Sequence, residues 1–485
     1  MQEILHHILE SSKSLKAEGI LTFSIAVITL LISFGKRTKV FGNVAWSIAL
    51  TAVCLSGILL FTKSDVTGSS YFFELLKTDG LYQFGGLLVV VASVIVFIHL
   101  KVLDYDFDSE AYLLILGIVL GLLLLLKASH FLSFFIALEF VSLCSYMLVA
   151  FRKEAKNLEA GIKYLIFGAT ATALMLYGVS LIYGLTGKLD FESVTAILPH
   201  LGLQSNHLEI VLALILAGPL FKLSAAPFHI WAPDVYEATP TPLLSFLAIA
   251  PKIGGLIAVY RILSLSPTDH SILLGTIILL SILIGNFAAL TQTNSKRMMG
   301  YSGIAQAGFI LIGLIGVNQS GIQASAFYLA TYVFISTGTF FFLDLVAKQT
   351  RSHSFESMAG MSRKSAVLSI TGLLFMVALV GLPPTSGFTA KFLVFSHVWK
   401  EYTSRGPDLL LWIMVFGLLN TAISLYYYFK VPYQMFVKKP AETGSDTSTL
   451  LPVTISQIAF LTLLGIAVVL FFFAPEIIQI LSKNI

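Results

Sequence analysis

The chain has 485 residues, of which 56% are hydrophobic and only 12% charged; its mean hydropathy is +0.88 and its formal net charge +4. These values lie far from those of water-soluble domains and exclude that class for the chain as a whole. The small positive balance speaks about orientation in a bilayer, and no nucleic-acid partner is expected.

Apolar runs of roughly 17 to 25 residues recur throughout, each long enough to cross a hydrocarbon core of about 30 Å as a helix. Barrel strands would be about half as long and would alternate, so the expected fold class is an all-α polytopic membrane protein. In chain order the runs fall at about 18–34, 43–61, 83–100, 110–127, 130–151, 162–187, 208–230, 240–264, 271–290, 301–316, 321–347, 365–393, 409–436 and 453–482, which gives fourteen spans. Only Ala128 and Ser129 separate the fourth from the fifth. The first run follows a polar start and lacks a small-residue cleavage site, so it reads as a retained span rather than a signal peptide.

Cys54 and Cys144 lie far apart inside apolar runs, without ligand spacing, and indicate neither a disulfide framework nor an iron–sulfur or zinc site. Sixteen lysines and arginines fall in the odd-numbered loops, among them Lys36, Arg37, Arg152, Lys296 and Arg351. Ten fall in the even loops and termini, among them Lys63, Lys127 and Lys188. The bias places the odd loops in the cytoplasm and both termini on the other side.

The four remaining basic residues, Lys163, Lys222, Lys252 and Lys391, lie inside or at the edge of predicted spans, and Glu139 sits in the middle of the fifth. A charge near the bilayer centre costs about 2.5 to 3.5 kcal/mol on insertion scales, so such residues usually face a bundle interior or water. Lys163 stands one helical turn after Glu159, where an ordinary i, i+4 pair or snorkelling accounts for it. The other three adjoin breaks. Pro219 and Pro227 bracket Lys222, Pro251 precedes Lys252, and Gly381, Pro383 and Pro384 precede Lys391 in GLPPTSGFTAKF.

Interrupted helices that carry ionisable groups at mid-membrane are the signature of a transport path. Spans four to eight and nine to thirteen form two sets of five with the break in the fourth member of each, the seventh and twelfth spans. Because five is odd, the second set is inverted relative to the first. The predicted organisation is a three-helix segment at 1–109, a first repeat at 110–264, an inverted second repeat at 271–436 and a last helix at 453–485. Desolvation lets a buried lysine trade a proton that it would keep in water, and a nearby carboxylate such as Glu139 opposes the release. Hydroxyls, water and His229 are candidate carriers between lysines.

At these residues the chain resembles a known family. FKLSAAPFHIWAPDVYEATPTP (221–242), the following APKIGG, and TNSKRMMGYSGIAQAGFIL (293–311) are similar to motifs of the antiporter-like membrane subunits of proton-pumping NADH:quinone oxidoreductase, respiratory complex I. PFHIW, PDVYE and a chain ending after its fourteenth span resemble the N type. The resemblance implies that Glu139 is the fifth-span glutamate, Lys222 its seventh-span partner, Lys252 the central lysine and Lys391 the exit-side lysine. His229 matches the histidine beside the break, and Lys163 matches more weakly. Ala238 and Thr239 depart from the expected Gly-Ala, in a turn that carries no ionisable group.

The resemblance further implies a proton-translocating subunit without a redox centre of its own. Related antiporter-like and small membrane subunits would be its partners, and NADH, FMN, iron–sulfur clusters and quinone would reside in other subunits. The chain agrees in lacking a dinucleotide-binding glycine fingerprint and a cysteine cluster. A free-standing cation/proton antiporter and a non-conducting scaffold are the rival readings; a single central acid, Glu139, argues against sodium binding.

Overall fold

In the computed structural model of the chain, the structure describes residues 11–34, 39–62, 70–202, 205–406, 408–439, 453–483 and 485. Lys36, Arg37 and Lys63 of the loop count lie outside them. Among the described residues the protein is almost wholly helical, and eleven helical stretches are long and apolar enough to cross a membrane.

Helices α1 (Lys16–Phe34) and α2 (Lys39–Thr62) precede a short antiparallel pair, β1 (Ser70–Tyr71) and β2 (Leu76–Lys77). Then come α3 (Gly80–Val102), α4 (Ser109–Lys127), α5 (Phe131–Val149), α6 (Ala155–Thr186) and the short α7 (Phe191–Ile197). The fourth and fifth apolar runs are indeed separate helices. Ala128 leaves helical geometry, and the His130 side chain accepts the Leu132 N–H, which caps the new helix.

The next elements come in pieces: α8 (Ser205–Leu223) with α9 (Ala232–Ala238), and α10 (Thr241–Leu247) with α11 (Ala250–Leu263). Uninterrupted α12 (Ser271–Leu290), α13 (Ser295–Ile312) and α14 (Gln319–Thr350) follow. After α15 (Met361–Lys364) the chain breaks again between α16 (Ala366–Val380) and α17 (Ser386–Arg405), and it finishes with α18 (Asp408–Tyr428), α19 (Lys430–Phe436), α20 (Ile455–Phe473) and α21 (Glu476–Ser482).

Burial separates core from perimeter. The hydrophobic windows of the α10–α11 stretch and of α14 are 94% buried, whereas those of α6 and α20 are 28% buried. The former are the centre of the molecule. The perimeter exposes large apolar side chains such as Phe23, Ile162, Phe392 and Phe473, a surface suited to lipid or to other apolar helices.

The eighth span is interrupted at Ala248 and Ile249, beside the Pro251–Lys252 site where a break or kink is expected. Two expectations need correction. The twelfth run, expected to end at 393, continues as helix to Arg405. Lys127 and Lys296, placed in loops, are buried, with 1% and 4% of their surface exposed. Lys127 is held by Glu18 at 2.8 Å, and Glu18 also accepts from the Tyr82 hydroxyl at 2.9 Å, which fastens α1 to α3 and α4.

Candidate functional site

In an α-helix the carbonyl of residue i accepts from the N–H of residue i+4, and proline has no N–H to give. Pro227 follows Leu223 by four residues, Pro383 follows Leu379 by four, and Pro384 follows Val380 by four. The helices also end at Leu223 and Val380, so these three carbonyls lie in last turns and lack a main-chain donor in register, deep among packed helices. Orphan acceptors in such a place need side-chain donors.

The donors are the residues at issue. Lys252 Nζ donates to Leu223 O at 2.5 Å, and Lys391 Nζ donates to Val380 O at 2.7 Å. The third carbonyl, Leu379 O, accepts from Gln306 Nε2 at 3.1 Å. Lys252 also reaches Gly303 O, inside α13, at 2.9 Å. The break at Gly381 requires glycine: its φ is +86°, and a Cβ there would lie 2.8 Å from Lys391 Cδ.

Lys222, the last residue but one of α8, is 2% exposed, and its amine has no hydrogen-bond partner. Aromatic rings enclose it, with the centroids of Phe221, Tyr146 and Tyr164 at 5.5, 5.6 and 5.9 Å. Trp231, at the end of the break, stacks on Tyr164 with centroids 4.1 Å apart. Gly168 on α6 permits this arrangement, since a Cβ there would fall 1.7 Å from the Tyr146 hydroxyl.

Glu139 on α5 is half-buried and accepts from the Thr172 hydroxyl at 2.5 Å. It makes no ion pair with Lys222 within 4.0 Å.

Between Lys252 and Lys391 runs a set of neutral groups that sequence reasoning missed. Ser302 and the Tyr428 hydroxyl are 2.5 Å apart, Gln306 Nε2 donates to the same hydroxyl at 3.2 Å, and Tyr328 donates to Gln306 Oε1 at 2.5 Å. Gln306 thus joins the side that holds Lys252 to the carbonyl beside Lys391's acceptor. Farther along α17, His397 Nε2 lies 2.8 Å from Ile315 O, and Glu401 accepts from Asn318 at 2.8 Å. A lone glutamine in AQAGF and the paired tyrosines of YYY were visible in the sequence, but uncharged polar residues in helices are usually core hydrogen-bonders.

The other candidates lie elsewhere. Lys163 is 42% exposed at one rim and pairs with Glu159 at 2.8 Å and Asp234 at 2.9 Å. Arg297 joins Asp234 to Glu237, which also binds Lys156. His229, half-buried in the segment between α8 and α9, is hydrogen-bonded to none of the three central amines.

The chain as a whole is similar to known proteins. A family profile described as "NADH:quinone oxidoreductase/Mrp antiporter, TM" matches residues 128–424. A "NADH-quinone oxidoreductase subunit N 2" from Chloroherpeton thalassium is 33% identical over 445 residues, covering 88% of this chain and 86% of its own. The chain belongs to the NADH-quinone oxidoreductase subunit N family. A chain of respiratory complex I from Thermus thermophilus matches with a TM-score of 0.79 at 30% identity, over 96% of this chain and 98% of its own. A chain of the Mrp complex from Dietzia sp. superposes with a TM-score of 0.80 over 98% of this chain and 96% of its own. At 16% identity that likeness shows the fold alone. The helix breaks and the three central lysines of this subunit N relative all lie within the span matched by the family profile.

Proposed function

We propose that the chain moves protons across a membrane as a subunit of an NADH:quinone oxidoreductase, along a line from Glu139 and Lys222 through Lys252 to Lys391. The observation that carries the reading is the seating of the lysines. Two amines rest on backbone carbonyls left open where helices end, and the third has no hydrogen-bonding partner at all. A group held only by neutral acceptors is free to lose its proton, whereas one locked in a buried ion pair is not.

In this reading a proton on Lys222, steadied by Glu139, passes to Lys252 when the carboxylate withdraws. Ser302, Tyr428 and Gln306, with water, bridge Lys252 to Lys391. His397 and Glu401 continue toward the far mouth. Each transfer leaves the donating amine neutral and the accepting one charged, so only one ion at a time needs stabilising in the interior. Lys163 and His229 stand near the entrance side in supporting roles.

The same reading assigns fourteen spans, counting the interrupted pieces as single crossings, with 110–264 and 271–436 as inverted repeats between the 1–109 and 453–485 segments. It places the chain in a bacterial inner membrane with the odd-numbered loops in the cytoplasm and both termini opposite. Other antiporter-like and small membrane subunits would cover its apolar flanks. NADH, FMN, the iron–sulfur clusters and quinone would be held by partner subunits.

The test is Lys222→Ala in the assembled complex, reconstituted in vesicles, with proton uptake counted per NADH oxidised. The expected result is depressed pumping at normal abundance of the complex; normal pumping would remove Lys222 from the path. The likeness to a chain of an Mrp complex keeps a second reading, a cation/proton antiporter, in view. Purification in mild detergent separates the two, because only the first brings flavin and iron–sulfur proteins with the chain.

A further inference from the structure

Away from the lysine line, a cavity of about 290 Å³ opens on the face that carries the odd-numbered loops. Its volume lies near the small end of the roughly 300 to 1,000 Å³ that small-molecule sites occupy. Four cations line it: Arg152 from the α5–α6 connection, Lys296 from the start of α13, and Lys348 and Arg351 from the end of α14. Among the described residues none of the four forms an ion pair within 4.0 Å.

Two carboxylates share the lining, Glu154 and Asp344. Both Asp344 oxygens are already engaged, one by His99 Nε2 at 2.9 Å and the other by the Tyr105 hydroxyl at 2.8 Å. Lys296 is 4% exposed and donates to Thr239 O at 2.5 Å. The His353 Nδ1 atom, on the same wall, is buried without a hydrogen-bond partner.

Like charges gathered in a recess repel, and four cations against two carboxylates leave the lining with an excess of positive charge. An anion in the recess offsets it. Guanidinium forks favour planar or tetrahedral oxyanions, and a buried ammonium adds a point charge. Basic recesses between membrane helices on the cytoplasmic side are where anionic headgroups bind.

We propose that this cavity is a binding site for a phosphate-bearing anion, held by Arg152 and Arg351 at the rim and by Lys296 at the floor. Lys348 adds charge at the mouth, and His353 Nδ1 supplies or accepts one hydrogen bond. The ligand is either the headgroup of an anionic phospholipid or free phosphate. The site is distinct from the Lys222–Lys391 line and does not depend on it.

Arginine labelling tests this. The complex, purified in phosphate-free buffer, is treated with phenylglyoxal, and modification of Arg152, Arg351 and Arg363 is followed by peptide mass spectrometry. Arg363, exposed and outside the cavity lining, is the reference. Three additions are compared: inorganic phosphate, micelles carrying phosphatidylglycerol, and the same micelles carrying diacylglycerol. Ligand at about ten times its Kd is expected to slow labelling of Arg152 and Arg351 roughly tenfold. Arg363 should label unchanged.

Protection by phosphatidylglycerol alone identifies a lipid headgroup, and protection by inorganic phosphate identifies the free anion. Lys296→Gln, which keeps a donor for Thr239 O, should return labelling to its unprotected rate, and so should the surface variant Lys348→Gln in part. No protection from either phosphate source, equal protection of Arg363, or equal protection by diacylglycerol overturns the proposal.

Discussion

Lys252→Met separates the structural role of the central amine from the role proposed for it in proton transfer. Methionine keeps the apolar stem of lysine and lacks only the terminal amine, so little space opens, but two donated hydrogen bonds vanish. Gly303 O lies within α13 and loses only a second donor, whereas Leu223 O ends α8 without a helical donor and is left unpaired. One buried orphan acceptor costs about 1 to 3 kcal/mol, which thins the assembled population without abolishing it. Carrying a proton past that point without an amine to hold it costs several kcal/mol per ion. At about 1.4 kcal/mol per decade that is three or more orders of magnitude in rate. The variant complex should therefore assemble at reduced abundance, while protons taken up per NADH oxidised in sealed vesicles fall to background for this path. Lys252→Arg supplies donors but does not release a proton at any relevant pH, so it should pump no better. Undiminished pumping per complex in either variant would refute the reasoning that Lys252 carries the proton.

Gly168→Ala should displace the Tyr146 ring, because the new Cβ would sit 1.7 Å from the hydroxyl. Overpacking of this kind costs about 1 to 3 kcal/mol. A lowered melting midpoint, partly restored by adding Tyr146→Phe, is the expected result, and an unchanged midpoint would count against the contact. Lys127→Met leaves Glu18 charged and unpaired in the interior, a loss of about 3 to 5 kcal/mol. Complex abundance should collapse and then recover in Glu18→Gln/Lys127→Met; failure of the double variant to recover would show that the pair does more than neutralise itself. Burial first, and the Lys296 charge second, push the His353 imidazole in the 351–360 connection down to about 4. An unfolded histidine takes its proton near 6.5. The folded form binds fewer protons in that window, so stability is full above about 6.5 and is lost as pH falls toward 4. The melting midpoint of His353→Gln should fall less between pH 7 and pH 5 than that of the parent, and parallel slopes would discount the residue.

Much of this was legible in the sequence because charge and proline stand out against apolar surroundings. Lys222, Lys252 and Lys391 declared themselves that way, and the breaks fall beside them at 224–231, 248–249 and 381–385. The neutral links did not. Gln306, Tyr328 and Tyr428 differ from ordinary helix-core residues only in what they touch across α13, α14, α16 and α18, and contact between distant segments leaves no local mark. Lys127 and Lys296 were misplaced for a related reason: each adjoins a turn, and adjacency to a turn does not reveal that other helices close over it. His397 and Glu401 were passed over because the polar stretch SHVWKEYTSR breaks the apolar run, although the helix itself continues through it.

The oxygens beneath Lys252, Gln306 and Lys391 belong to the main chain, and they are open because α8 and α16 end there, ahead of proline. Their location is thus a matter of the backbone path rather than of which side chains surround them. Extensive exchange of neighbouring leucines, valines or phenylalanines would leave all three where they are. A single inserted or deleted residue between 223 and 227, or between 379 and 384, would instead alter the route by which the chain leaves each helix. Divergence along these segments should accordingly tolerate new composition far better than a changed count.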